Sequence, residues 1–161
     1  MKGQNLPDEH HVIRVVPYGK LDKDSDGKPT GRLLFSAFQR REDEQGLSVT
    51  WLEYFAGDRP QKIQRAVHAI RASEFKPGGQ SAFAIGGVGP IKEKCLDRNH
   101  KIRIIHEPVD DNKAHAELRQ FPRDDIALLE ELAASTWAEV EFNADIPKGG
   151  EVQAPAEPAD C

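Results

Sequence analysis

Cysteine is scarce: Cys95 and Cys161 are the two in 161 residues. They form no CxxC pair, so neither a zinc site built on such pairs nor a disulfide framework is expected. No apolar run approaches the roughly 18 residues that cross a bilayer. The stretch from Met1 to His11 also lacks the apolar centre of a secretory signal. These absences lead us to expect a reducing, cytoplasmic setting and no membrane. Internal repeats are missing, and the length suits one domain rather than a multidomain enzyme. Complete catalytic signatures are missing too: there is no GxSxG, GxGxxG or GxxxxGK[ST].

Basic charge is in deficit, with 22 Lys and Arg against 27 Asp and Glu, a formal −5. Nucleic-acid binding, which needs a local excess of cations, is not favoured. Arg40, Arg41, Lys101 and Arg103 are the candidates for a local basic patch. Residues 143–161 carry Asp145, Glu151, Glu157 and Asp160 against Lys148, which is −3 of the total and leaves −2 on the rest. This segment is dominated by Pro, Ala, Glu and Gly, and the sequence predicts a disordered acidic tail there.

What is present reads as α+β. A small mixed sheet is predicted, with strands near 11–17, 32–38, 81–86 and 101–106, where β-branched or apolar runs end in Pro or Gly. Helices are predicted near 50–56, 60–73, 89–96, 112–120 and 124–140. Thr50 with Glu53, and Asp58 with Gln61, match capping boxes; Asn112 and Asp124–Asp125 supply further helix starts. Ile63, Ala66, Val67 and Ile70 form a stripe at helical spacing, as do Ile126, Leu129, Ala133, Trp137 and Val140. A single domain over 1–142 follows, with 1–9 loose. Phe38, Trp51, Phe55, Phe83 and Trp137 are the aromatic core candidates.

Four constellations carry chemistry. Asp22, Asp24, Asp26 and Gly27 match the first half of a calcium loop, but position twelve is Leu33 rather than Glu, so an Asx-rich hairpin turn is expected there and calcium is not. His106, Glu107, Asp110, Asp111 and His115 run from a strand end through a loop. His106, Asp110, Asp111 and His115 offer nitrogen and oxygen ligands for a divalent transition metal, with His115 and Glu107 as proton-handling groups. Gly86, Gly87 and Gly89 lie between a strand and a helix, where a tight turn is expected rather than a phosphate cradle. Arg14 and Glu53, with His11, Ser48 and Thr50, suggest a nucleotide-handling transferase. Ser48 with a distant histidine imitates a hydrolase pair, but without the strained elbow such enzymes use.

The leading expectation is a small soluble protein acting through macromolecular contacts, with a protein partner. A metal-assisted hydrolase at His106, Asp110, Asp111 and His115 is the alternative, and the Arg14/Glu53 transferase comes third.

Overall fold

The architecture is that of a computed structural model in which residues 2–74 and 76–147 are described. It is α+β. Six strands form one antiparallel sheet: β1 (His11–Val16), β4 (Gly46–Trp51), β5 (Ala82–Gly87), β6 (Arg103–His106), β7 (His115–Arg119) and β8 (Glu139–Phe142). Their spatial order is β6-β7-β4-β1-β5-β8. β2 (Leu21–Lys23) and β3 (Pro29–Leu33) make a separate hairpin. The helices are α1 (Arg59–Ala72), α2 (Val88–Asp97) and α3 (Ile126–Glu131), the last continuing into a π-helical turn at Leu132–Thr136.

Alternation along the strands divides the core between two faces. One face presents Val12, Val16, Leu47, Val49, Ala82, Ala84, Ala116 and Leu118 to α2, α3 and the hairpin. Phe38 and Trp137 are fully buried there, stacked with ring centroids 4.8 Å apart. Such a pair contributes about 0.5–1.5 kcal/mol beyond its area burial. The opposite face presents Ile13, Phe83 and Ile85 to Ala66, Val67 and Ile70 of α1. Helix α1 covers only this part. Over β4 and β7 the same face turns polar, with Ser48, Thr50, His115, Glu117 and Arg119.

Helix α1 starts as its sequence predicts. Asp58 accepts from the Gln61 amide while Gln61 Oε1 accepts from the Asp58 amide. The strand expected at 11–17 and the helix expected at 89–96 also form, within a residue or so.

Other expectations are corrected. Residues 50–56 are not a helix: Thr50 and Trp51 end β4, and a 3-10 turn follows at Leu52–Tyr54. Glu53 does not close a capping box, because both its carboxylate oxygens are taken by His11, from the backbone amide and from Nδ1. Residues 112–120 hold β7, since Asn112 builds a turn and the chain then alternates His115, Glu117 and Arg119 against Ala116 and Leu118. The helix expected over 124–140 ends in the π turn. Ser135 and Thr136 hydroxyls donate back to the Glu131 and Leu132 carbonyls there, and Glu139–Phe142 becomes β8. Residues 32–38 split into the end of β3 and a 3-10 turn, Phe35–Phe38, that tucks Ala37 and Phe38 into the core. The sheet is antiparallel rather than mixed, and it gains β4, β7 and β8, of which β7, the end of β4 and the start of β8 fall in segments expected to be helical.

Both ends of the described chain are more engaged than the sequence suggests. Gly3 and Leu6 amides donate to His106 and Ile104 carbonyls, and Leu6 is buried. At the other end, Asn143–Asp145 form a 3-10 turn, Ile146 joins the α1 core, and Arg71 donates to Asn143, Ile146 and Pro147. The remainder of the predicted tail, 148–161, lies outside the described residues.

Candidate functional site

The sheet is forked at its centre. β1 is paired with β5 along its whole length, and β4 with β7 from Gly46 to Thr50. Between β1 and β4, however, the register holds only at Val12–Trp51 and Ile13–Thr50. Beyond that point the strands separate, and Arg14 fills the fork. Its Nε donates to the Ala37 carbonyl and its Nη1 to the Ser48 carbonyl, each at 2.7 Å. The guanidinium thus satisfies two backbone carbonyls at the point where the strands part. Burial pulls the Arg14 pKa down to about 10, against the opposing field of Glu44. The group therefore remains a cation at neutral pH.

The fork opens into a cavity of about 710 Å³ between the polar half-face of the sheet, the C-terminal end of α1 and the loop 109–112. Ser48, Thr50 and His115 form its floor, and Asn112, Asp111, Glu44, Glu74, Arg14, Lys20, Arg41 and Lys76 also line it.

On this floor His115 Nδ1 lies 2.8 Å from the Glu107 carbonyl oxygen. A carbonyl only accepts, so Nδ1 carries the proton and Nε2 presents a lone pair. That lone pair faces Ser48 Oγ at 3.3 Å. The arrangement is a hydroxyl, a base beside it and a group that orients the base, which is the logic of an activated nucleophile. Asn112 lies alongside: its Oδ1 accepts from the Ala114 amide and its Nδ2 donates to Thr50 Oγ1 at 3.1 Å. Among the described residues the second Nδ2 hydrogen of Asn112 has no partner, and it is a donor for negative charge developing in the cavity.

The metal constellation predicted from sequence is taken apart by strand register. His106 pairs with Ala116, one residue from His115, so the two imidazoles leave opposite faces of the sheet. His106 packs on Trp51 and its Nε2 faces the Lys113 carbonyl at 2.8 Å. Asp110 is exposed in the turn, and Asp111 accepts from the Glu74 amide. Among the described residues no group of three or more His, Cys, Asp or Glu is placed to hold a metal ion. Glu107 does reach His115, but through its carbonyl. Its carboxylate takes Arg119 Nη2 at 2.7 Å, and Arg119 is further held by Glu117; the two acids raise the arginine's pKa.

No known family, curated protein or solved structure matches this chain.

The remaining motifs are accounted for locally. Asp24 Oδ1 accepts from the Asp26 and Lys28 amides, closing the β2–β3 turn, and Asp22 accepts from the Thr30 hydroxyl. The glycines before α2 permit close approach. A Cβ on Gly86 would lie 2.9 Å from the Thr136 carbonyl oxygen, and one on Gly89 3.0 Å from that of Asp8. The α2 amides of Val88 and Gly89 donate to the His10 and Asp8 carbonyls, so the chain itself occupies the helix start. Arg14 and Glu53 are not brought together, since Glu53 is held by His11 while Arg14 sits in the fork.

Asn112 reads in the sequence only as a helix cap, and the histidine that pairs with Ser48 is not identified there. The signal for Ser48 was available: it and Thr50 alternate with Leu47 and Val49, which marks one polar face of a strand.

Proposed function

We propose that the protein is a small hydrolase that transfers an acyl group through Ser48, with His115 as its general base. The observation that carries this reading is the ordered contact of Ser48 Oγ, His115 Nε2 and the Glu107 carbonyl on the floor of a cavity large enough for a small molecule.

In this reading Ser48 Oγ attacks the carbonyl carbon of an ester, and its proton passes to His115 Nε2. The carbonyl oxygen becomes negative, and the spare Nδ2 hydrogen of Asn112 stabilises it. When the intermediate collapses, the alcohol leaves with the proton held by His115. Water, deprotonated by the same nitrogen, then cleaves the acyl-serine and restores the hydroxyl. The Glu107 carbonyl keeps the imidazole in the tautomer that both steps require.

The alternative of metal-assisted hydrolysis shares His115 but not Ser48. The contact-based reading needs neither, and the large exposed apolar side chains, Leu34, Tyr54, Leu96, Val109 and Ile126, lie on separate segments rather than in one run. A panel of activated acyl esters separates the three. Turnover lost in both Ser48→Ala and His115→Ala supports the proposal. Turnover that survives Ser48→Ala but falls with a chelator supports the metal reading. Absence of turnover with every ester favours the contact reading.

A further inference from the structure

We infer that the fork between β1 and β4 is an oxyanion subsite, in which Arg14 anchors a carboxylate or phosphate group carried by the small molecule that occupies the cavity. The inference rests on the cavity assigned above and names the substrate class of that site.

A guanidinium has five N–H groups. Arg14 commits two of them to the Ala37 and Ser48 carbonyls and has no other partner among the described residues, so three are left over at the cavity. Its planar fork matches the two oxygens of a carboxylate or phosphate.

The second step concerns charge. A partly buried cation is normally paired, because removal from water is costly without a counter-ion. Arg14 makes no ion pair within the described chain. The acid whose field reaches it, Glu44, is spent elsewhere: Oε1 accepts from the Arg41 amide at 2.9 Å and Oε2 faces Arg41 Nη2 at 3.5 Å. Lys20 also lines the cavity, and among the described residues its ammonium donates to the Ser36 carbonyl alone, at 3.1 Å. The counter-charge is therefore left for a ligand to supply.

The third step is position. Arg14 grips the backbone carbonyl of the same residue whose hydroxyl faces His115. Arg14 leaves β1 on the side of Val12 and Val16, opposite Ala84, and its guanidinium reaches into the gap between the strands; an anion seated on it there would occupy the same cavity that Ser48 and His115 line from the other face. Four cations, Arg14, Lys20, Arg41 and Lys76, line the cavity against three acids, Glu44, Glu74 and Asp111, and Glu44 is held by Arg41.

The test uses the full chain and isothermal titration with two probes, sodium phosphate and sodium succinate, against sodium chloride at matched ionic strength. Saturable binding of at least one oxyanion is expected in the wild type. Ser48→Ala should bind equally well, because its backbone carbonyl is kept, so anion binding is scored independently of any hydrolysis. Arg14→Met should weaken binding about tenfold or more, the loss of a charge-assisted contact. Because Arg14 also bridges two strands, a measurement on unmodified protein accompanies the variant: phenylglyoxal modification of Arg14, mapped by mass spectrometry, should be slowed by phosphate but not by chloride. Absence of saturable binding by both oxyanions, equal binding by a folded Arg14→Met, or modification of Arg14 indifferent to phosphate would each overturn the inference.

Discussion

His115 Nε2 reaches Ser48 Oγ diagonally across two paired strands: His115 is opposite Thr50, and Ser48 is opposite Glu117. Diagonal neighbours on one face lie within reach of a long side chain, and the Glu107 carbonyl turns the ring toward the hydroxyl. The pair is thus set by register together with one backbone acceptor. Replacing either residue by Ala should cost ester turnover about 10²–10⁴-fold, the usual worth of a positioned base. Stability should fall by about 0.5–1.5 kcal/mol in Ser48→Ala, the value of one hydrogen bond, and by roughly twice that in His115→Ala, which loses two. Parallel kinetic and urea-unfolding measurements check both halves of this expectation.

Gly86 is required by packing. A methyl group there would meet the Thr136 carbonyl oxygen at 2.9 Å and Trp137 Cδ2 at 3.0 Å. Because that contact is with backbone and a buried ring, neither can retreat easily, and Gly86→Ala should destabilise by about 1–3 kcal/mol. Gly79, with nothing within 4 Å of its added Cβ, is the control and should tolerate Ala far better. Equilibrium denaturation of the two variants compares them directly.

Asp125 joins α2 to α3. Its carboxylate accepts from Arg98, faces His100 Nε2 and caps the Leu128 amide. Led by the Arg98 bond, these contacts pull its pKa from 3.8 to about 2. A folded-state value below the unfolded one gives stability that is complete above the unfolded pKa and lost as pH falls through the folded pKa. Thermal unfolding of the wild type should therefore weaken between the ordinary carboxylate range and pH 2. Asp125→Asn should be less stable at neutral pH and show a shallower acid decline. Parallel melting curves for the two proteins would contradict this role.

Cys95 lies fully buried in α2, and desolvation pushes its thiol up to about 12. The thiolate is the reactive form, so in native protein at pH 8 Cys95 should resist iodoacetamide. It should label promptly in denaturant, as peptide mapping before and after unfolding would report.

Legibility in the sequence followed the kind of signal each element carried. Asp58, Pro60 and Gln61 announced α1 because the cap is built by adjacent residues. The β-branched run of β1 likewise needed no distant partner. By contrast, Thr50 with Glu53 resembled a helix start, yet Glu53 is claimed by His11 from another strand, a pairing invisible to local spacing. Asn112 does bond to a nearby amide as a cap would, that of Ala114, but the chain then extends. In the site, His115 and Glu107 were legible as chemical groups. Their grouping was not: strand register sent His106 to the opposite face and brought Ser48 to His115 instead. Misreading β4 and β7 as helices concealed that register.

The most direct test of the Ser48–His115 assignment is covalent labelling with a small alkyl fluorophosphonate, read by intact mass and peptide mapping. The account expects one adduct per chain, on Ser48, absent in Ser48→Ala and strongly slowed in a folded His115→Ala. A wild-type protein that is folded and unlabelled at Ser48, or that labels at the same rate without His115, would contradict it.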